Sequence, residues 1–239
     1  MRQAKKSLSQ NFLTDKNICK KIVNLTNIEK KNILEIGPGY GFLTDELLLN
    51  KPKNIFLIEK DANLVNFLKN KYKKNKNIIV IEDDILNYNL KNFKNLIIIS
   101  NLPYNVSTKI ILYLFNFTHN IYEMIFMIQK EVSLKFDYNI YKMNKYKFLT
   151  KIVSNYSRCF DVSSKVFIPK PKVRSTVVKF IFNKKSIDLK KANKFSKLIF
   201  KNVRKKINNN IKINGNSILL NKRVNQLSID ELLSIYNFF

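Results

Sequence analysis

The chain has 239 residues, 45% of them hydrophobic and 18 of them Phe, so it fits one sizeable domain with a packed core, or one domain with a small appendage. No apolar run approaches the roughly 20 residues that cross a bilayer, and two cysteines with one histidine are too few for a metal site or a disulfide scaffold. The N-terminus has no apolar signal core, which predicts a cytoplasmic protein without a membrane anchor.

The net charge of +27 is unevenly distributed along the chain. Residues 1–141 carry 21 Lys and Arg against 13 Asp and Glu, whereas residues 142–239 carry 23 against 4. Codon bias in an AT-rich genome would add lysines throughout and is not expected to divide the chain in this way. The asymmetry therefore favours a polyanion-binding face attached to a catalytic body.

The first part of the chain alternates β-branched runs with helical patterns, which predicts an α/β fold with a parallel, doubly wound sheet. The predicted strands are Asn32–Ile36, Asn54–Glu59, Ile78–Glu82, Leu96–Ser100, Tyr122–Ile128 and, at the far end of the sheet, Ser175–Phe182. The predicted helices between them are Phe42–Asn50, Asn63–Lys73 and Thr108–Phe117.

After residue 183 the hydrophobic period becomes helical. One helical face would carry Leu189, Ala192, Phe195, Ile199 and Val203. Ser228 and Glu231 have the spacing of a capping box for the last helix. The sequence thus predicts two domains, residues 1–184 and a small basic helical domain over residues 185–239.

Three of the four glycines, Gly37, Gly39 and Gly41, follow the first of these strands within five residues. Such a loop permits close approach of a ligand beneath a helix N-terminus. It is not the dinucleotide fingerprint, because Phe42 stands where a third glycine is required. Glu59 ends the next strand and could accept two ribose hydroxyls. Asp84 follows the third strand and could accept from an adenine amine, so a nucleoside pocket is predicted, although either carboxylate alone could be a solvated strand end.

Residues Asn101 to Tyr104 lie at the end of the strand that contains the apolar run Leu96–Ile99. The exocyclic N6 of adenine is a poor nucleophile because its lone pair is delocalised into the ring. Acceptors on its two hydrogens, Asn101 Oδ1 and the Leu102 carbonyl, would favour the pyramidal nitrogen that attacks a methyl sulfonium. Pro103 removes a competing donor, and Tyr104 offers a face for an unstacked base. The alternative is a plain strand-to-helix turn with Ser107 as the helix cap. Together with the nucleoside pocket, the motif predicts S-adenosyl-L-methionine as the methyl donor.

The chain resembles the ribosomal RNA adenine dimethyltransferases that act on the small subunit. The matching segments are SQNFL (9–13), EIGPG (35–39), DDIL (83–86), NLPYN (101–105), QKEV (129–132), FIPKPKV (167–173) and RKK (204–206). The resemblance implies a Rossmann-like class I methyltransferase sheet. It also implies that the methyl donor is contacted by Asn11, Leu13, Gly37, Gly39, Glu59, Asp84 and Asn101.

The same resemblance implies a catalytic group formed by Asn101, Leu102, Pro103, Tyr104 and Phe167, with Phe167 facing Tyr104 across the target base. It implies an RNA-binding set formed by Lys170, Lys172, Arg174, Arg204, Lys205 and Lys206. The expected partner is small-subunit ribosomal RNA in an immature particle, and the protein is expected to be a monomer without a metal. The chain departs from the family pattern at Lys147, where relatives usually have Gly, and at Arg174, where they have an acidic residue.

Three other functions compete with this hypothesis. The sister group that methylates large-subunit RNA and confers macrolide resistance typically has Ser at the position of Pro38 and Ile at that of Leu102. A ribosome-assembly or transcription factor on the same fold would not need Asn101, Tyr104, Glu59 and Asp84. DNA adenine methylases usually have two prolines after the amide. The sequence therefore favours N6,N6-dimethylation of small-subunit RNA.

Overall fold

The computed structural model describes residues 11–140, 142–183, 187–211 and 218–239. Its strands are β1 (Phe12–Leu13), β2 (Asn32–Ile36), β3 (Asn54–Glu59), β4 (Ile78–Glu82), β5 (Leu96–Asn101), β6 (Ile121–Gln129), β7 (Ser154–Val162), β8 (Phe167–Ile168) and β9 (Ser175–Phe182). Its α-helices are α1 (Lys16–Val23), α2 (Phe42–Leu49), α3 (Ala62–Lys71), α4 (Ser107–Leu114), α5 (Lys130–Phe136), α6 (Lys145–Val153), α7 (Leu189–Ile199) and α8 (Ile229–Phe238). None of these helices is long and apolar enough to cross a membrane.

Seven strands form one sheet in the order β4-β3-β2-β5-β6-β9-β7, and β1 pairs with β8 in a separate two-stranded sheet. Strands β2 to β6 run parallel to their neighbours, whereas β9 is antiparallel to β6. This confirms the predicted class I methyltransferase sheet. Because β2, β3, β4 and β5 are parallel, their carboxyl ends meet at one edge, where such sheets bind ligands.

The central strands are apolar on both faces because helices cover a parallel sheet on both sides. In β5 the side chains from Leu96 to Ile99 are all fully buried. Asp15 is the N-cap of α1, and its carboxylate accepts from the Ile18 N–H; Asp61 is the N-cap of α3 and accepts from the Asn63 N–H. These caps determine where the helices start relative to the strand ends. Helix α4 instead begins after Val106, so Ser107 is not its N-cap.

The sequence did not predict β7, which lies at the edge of the sheet beyond β9. Ser175–Phe182 is therefore the second strand from that edge and not the last one. Strand β7 exposes Asn155, Ser157 and Arg158, so it lacks the continuous apolar run that identified the central strands. An edge strand has one neighbour only, and polar side chains are tolerated on it.

The chain divides into two compact units. The first comprises Met1–Ser133 and Ser157–Phe182, and the second comprises Leu134–Tyr156 and Asn183–Phe239. The predicted boundary between residues 184 and 185 falls in residues 184–186, outside the described residues. The second unit is larger than the predicted C-terminal domain because Leu134–Tyr156 belongs to it.

The second unit has an aromatic core of its own. The rings of Phe148 in α6, Phe195 in α7 and Tyr236 in α8 lie 5.1 to 5.5 Å from one another. Lys147, the departure from the family pattern, is buried, and its Nζ donates to the Ile140 carbonyl at 2.8 Å. Burial lowers the pKa of Lys147, and the nearby Asp137 carboxylate raises it. The Lys147 amine thus ties the Ile140 carbonyl to α6.

Candidate active site

One cavity lies at the carboxyl ends of β2, β3, β4 and β5. It is lined by all of the predicted cofactor residues, namely Asn11, Leu13, Gly37, Gly39, Glu59, Asp84 and Asn101. It is also lined by Leu102, Pro103 and Tyr104. The fold therefore brings together two predicted groups that are separated in sequence, the donor-binding set and most of the catalytic set.

The glycine loop between β2 and α2 forms one wall of this cavity. The Gly37 N–H donates to the Ile58 carbonyl at 2.8 Å and the Gly41 N–H donates to the Pro38 carbonyl at 2.9 Å, so the loop turns tightly against β3. Gly39 has a φ of +59°, and a Cβ there would lie 2.8 Å from the Phe12 ring. A larger residue would be strained in backbone and would collide with β1.

The outer side of this loop is held by the end of α3, which the sequence analysis did not single out. The Tyr72 hydroxyl lies 2.9 Å from the Gly41 carbonyl and 2.7 Å from Asp45 Oδ1. The Lys71 ammonium donates to the Tyr40 carbonyl at 3.0 Å and to Asp45 Oδ2 at 2.7 Å. Burial, and then Asp45, raise the pKa of Tyr72 above its usual value, so the hydroxyl keeps its proton. In the sequence Tyr72 is only an aromatic residue near the end of a predicted helix.

Glu59 ends β3 with its carboxylate inside the protein, 7% exposed. Oε1 accepts from the N–H groups of Lys60 and Asp61 at 3.0 Å each, and Oε2 faces the Gly39 N–H at 3.4 Å. Burial raises the pKa of this carboxyl, and the three backbone hydrogen bonds oppose that rise. The carboxylate is thus held in a fixed orientation at the cavity wall.

Asp84 lies after β4 on the same wall. Its Oδ1 accepts from the Leu86 N–H at 3.0 Å, and its Oδ2 lies 3.7 Å from the Lys60 ammonium. The side chain of Asp84 is about one third exposed. The turn at Asp83 and Asp84 is closed by Asp83 Oδ1, which accepts from the Asp84 N–H at 2.7 Å. The contact of Asp84 with an adenine amine stays a prediction.

Glu35 is a second buried carboxyl at the cavity, 2% exposed, near the end of β2. Its Oε2 accepts from the Thr44 hydroxyl at 2.6 Å. Burial raises the pKa of Glu35 to about 8. The sequence placed this residue in a matching segment but assigned it no role, because its burial depends on packing between β2 and α2.

Asn101 is the last residue of β5 and faces the cavity. Its Nδ2 donates to the Asn11 carbonyl at 3.0 Å, while its Oδ1 is buried without a hydrogen-bond partner among the described residues. A buried acceptor without a partner costs about 1–3 kcal/mol, so such atoms are rare away from functional sites. The next residue is held as well, because the Leu102 N–H donates to the Met127 carbonyl at 3.1 Å. The Asn101 oxygen is therefore oriented for a ligand donor.

Tyr104 and Phe167 have different surroundings. Tyr104 is partly buried, lines the cavity and has its hydroxyl 2.7 Å from Ser175 Oγ. Phe167 is 2% exposed, packs with Leu13 and others in the hydrophobic core, and is not among the residues that line the cavity. The two rings therefore do not both line this cavity. A base stacked on Phe167 would require its ring to leave this packed position, so that role stays a prediction.

The predicted RNA-binding residues all lie on the surface, in two groups. Lys170, Lys172 and Arg174 are exposed in the loop between β8 and β9 of the first unit, and residues 204–206 are exposed after α7 in the second unit. Ile168, at the end of β8 just before the first loop, is also exposed, with 53% of its surface accessible. No cluster of three or more metal-ligating side chains occurs in the described part of the chain.

The whole chain, residues 1–239, matches the model of the family described as ribosomal RNA adenine dimethylase. The chain is 35% identical over 99% of its length to ribosomal RNA small subunit methyltransferase A of Mycoplasmopsis synoviae, covering 97% of that protein. It is 34% identical over 99% of its length to the protein of the same name from Hydrogenobaculum, covering 94% of it.

Solved structures agree on the fold. A dimethyladenosine transferase from Plasmodium falciparum is similar with a TM-score of 0.79 at 20% identity, over 95% of this chain and all of that one. The 23S rRNA methyltransferase ErmE is similar with a TM-score of 0.75 at 19% identity, over 95% of this chain and 99% of that one. The sequence matches the family over its full length, and the sheet has its cavity at the edge where methyltransferases bind their donor. The chain therefore belongs to the ribosomal RNA adenine dimethylase family and is an S-adenosyl-L-methionine-dependent methyltransferase.

Proposed function

We propose that this protein transfers two methyl groups to N6 of adenines in small-subunit ribosomal RNA, within an immature particle. The observation that carries the chemistry is the buried Oδ1 of Asn101 at the cavity, which has no hydrogen-bond partner in the part of the chain that the structure describes. The choice of RNA is supported by the relatives named small subunit methyltransferase A, and by Pro38 and Leu102, which distinguish the chain from the macrolide-resistance group. We further propose that it acts as a monomer in the cytoplasm, where subunits are assembled.

The residues at the cavity fit S-adenosyl-L-methionine. Glu59 would accept the ribose hydroxyls, since its carboxylate is held rigidly by backbone N–H groups. Gly37 has no side chain on the side that faces Pro103. A Cβ at this position would lie 3.9 Å from the Pro103 ring. Asp84 would take the adenine amine, and Asn11 and Leu13 would close the cavity beside Asn101. When bound, the donor supplies an electrophilic methyl group on a sulfonium.

The protein contributes orientation and electrostatics to the reaction. Asn101 Oδ1 and the Leu102 carbonyl would accept the two amine hydrogens of the target base, which localises the nitrogen lone pair. The Nδ2 bond to Asn11 holds the amide in that orientation before the base arrives, so little reorganisation is needed. Tyr104 would stack on the extruded base. No strong general base is required, because the amine proton can leave to water after the methyl has been transferred.

Exposed lysines and arginines would hold the RNA. The loop with Lys170, Lys172 and Arg174 belongs to the same unit as the cavity, and the apolar Ile168 that precedes it in β8 is also exposed. Arg204, Lys205 and Lys206 would add phosphate contacts from the second unit. Basic side chains supply most of the sequence-independent affinity for RNA through counterion release.

The test is methyl transfer to ribosomal particles. Immature small subunits and immature large subunits are incubated separately with protein and labelled methyl donor, and primer extension locates stops at dimethylated adenines. We expect stops in small-subunit RNA only, and none with Asn101→Ala. Methylation of large-subunit RNA alone would favour the macrolide-resistance activity. Donor binding without transfer to either particle would favour a non-catalytic assembly factor.

A further inference from the structure

The hydroxyl of Tyr104 contacts Ser175, a residue to which no sequence motif assigns a role. Tyr104 Oη lies 2.7 Å from Ser175 Oγ, across 71 positions of sequence. Either oxygen can be the donor, and the distance is typical of a well-formed hydrogen bond between hydroxyls. A ring needed only for stacking would work as well without its hydroxyl. The contact with Ser175 therefore indicates that the orientation of the ring also matters.

Ser175 is well placed to act as a rigid anchor. It is the first residue of β9, it is 0% exposed, and it lies opposite Gln129 in the register of β6. The pairing continues one step further, because the Lys130 N–H donates to the Arg174 carbonyl at 3.0 Å. The position of the Ser175 hydroxyl is therefore determined by the sheet and not by a flexible loop.

The backbone of Tyr104 is also held. Its carbonyl accepts from the Ser107 hydroxyl at 3.2 Å, at the start of α4. The side chain is thus fixed at its base by α4 and at its tip by β9. The O–H bond of a phenol prefers the plane of the ring because of conjugation, so a partner in a fixed position also restricts rotation of the ring about its own axis.

We propose that Ser175 is a positioning residue for methyl transfer, which holds the Tyr104 ring in the orientation that receives the target base. The proposal rests on the proposed function, since it takes Tyr104 as the stacking surface. Tyr104 is partly buried, so water has limited access to its hydroxyl. If Ser175 were removed, water would not fully replace the lost hydrogen bond. A freed ring would rotate, and fewer encounters with the base would be productive.

The experiment is a double-mutant cycle with Ser175→Ala, Tyr104→Phe and the combined variant, using immature small subunits as substrate. Each single change should lower kcat/KM for the particle by about 3- to 10-fold, the reduction expected for one neutral hydrogen bond. The affinity for the methyl donor, measured by calorimetry, should stay within about twofold of the wild-type value. The combined variant should be no worse than the less active single variant, because both changes remove the same hydrogen bond.

Wild-type activity of Tyr104→Phe would overturn the proposal, and so would reductions that multiply in the combined variant. Tyr104→Phe keeps the shape of the ring, so it decides the matter even where Ser175→Ala fails to fold. Ser196→Ala is the matched control, because Ser196 is also buried and also bonded through its hydroxyl, to the Asn193 carbonyl.

A second readout needs no RNA. With fluorotyrosine at position 104, the fluorine resonance should shift or broaden in Ser175→Ala and stay unchanged in Ser196→Ala. An unchanged resonance in Ser175→Ala would overturn the positioning role. A wild-type protein that methylates no small subunits but shows the expected fluorine change would instead overturn the proposed function, and with it the role in methyl transfer, while confirming that Ser175 orients the Tyr104 ring.

Discussion

The side-chain amide of Asn101 donates to the backbone carbonyl of Asn11 at 3.0 Å, and this single contact orients the buried Asn101 oxygen. Because Nδ2 is engaged by the segment before α1, Oδ1 must face the cavity. The segment that the family resemblance assigns to donor binding thus also positions the atom proposed to act on the target amine.

Asn101→Ala should lower the rate of methyl transfer by about 100-fold or more, because the missing oxygen acts mainly in the transition state. Donor affinity should fall only modestly. Single-turnover transfer to immature small subunits measures the first quantity, and calorimetry the second. Asn193→Ala, which removes an exposed amide bonded to the Leu189 carbonyl, is the control. Unchanged turnover in Asn101→Ala would exclude the proposed role.

Glu59→Gln should weaken donor binding by about 10- to 100-fold, the range for hydrogen bonds to a charged group. Burial raises the pKa of Glu59, so its carboxylate takes up a proton at a higher pH than an ordinary glutamate does. The donor affinity of the wild-type protein should therefore begin to fall at that higher pH when the solution is acidified. The affinity of Glu59→Gln should not depend on this ionisation. Calorimetry across the acidic and neutral range tests both points.

The control for that experiment is Glu82→Gln. Glu82 pairs with Glu59 in the register of β3 and β4 and is exposed, so it reports the effect of removing one carboxylate at the same edge. Equal reductions of donor affinity in the two variants would mean that general electrostatics, and not the ribose contact, explain the result.

Glu35→Gln should change how stability depends on pH. Burial raises the pKa of Glu35 from 4.5 to about 8, so the folded protein keeps a proton that the unfolded chain releases. The free energy of unfolding should therefore decrease as pH rises between these values, with a slope approaching about 1.4 kcal/mol per pH unit. Above about pH 8 this contribution to the slope ends. Glu35→Gln should lack this contribution.

Urea unfolding at several pH values measures that slope. Glu29→Gln, an exposed carboxylate near the start of β2, serves as the control and should keep the wild-type slope. Parallel curves for Glu35→Gln and wild type would show that Glu35 does not titrate in this way.

Tyr72→Phe should weaken donor binding by about 3- to 10-fold, because its hydroxyl lies against the Gly41 carbonyl and Asp45 and holds the glycine loop. Thermal melting should be recorded beside calorimetry, since the ring itself stays packed. Tyr122→Phe removes the hydroxyl of a surface tyrosine that is 40% exposed, and it should behave as wild type. A drop in melting temperature with unchanged donor affinity would assign Tyr72 to packing alone.

Replacing Arg204, Lys205 and Lys206 with Gln should weaken binding to immature small subunits and flatten its salt dependence, by about one unit of slope for each phosphate that is no longer neutralised. Donor binding should be unaffected. The matched control replaces Lys73, Lys74 and Lys76, three exposed lysines after α3, and removes the same charge. The docking role fails if both triple variants change the slope equally.

The sequence alone determined the parallel strands of the sheet, the family and the donor. Runs such as Leu96–Ile99 are apolar on both faces, as expected of a strand covered on both sides. The glycine loop and the residues from Asn101 to Tyr104 were recognisable because each follows such a strand directly. The local sequence pattern is sufficient at these two sites, since the residues that act together are neighbours in the sequence.

The tertiary structure decided the contacts between segments far apart in the chain. Nothing near Ser175 or Tyr72 in the sequence indicates that their hydroxyls meet Tyr104 and the Gly41 carbonyl, because these distances depend on how β9 and α3 pack. The same holds for Phe167, whose residue type suits both stacking and burial, and whose neighbours bury it. Hydrophobic period and motif specify which elements form, whereas side-chain partners depend on packing geometry that only the folded chain provides.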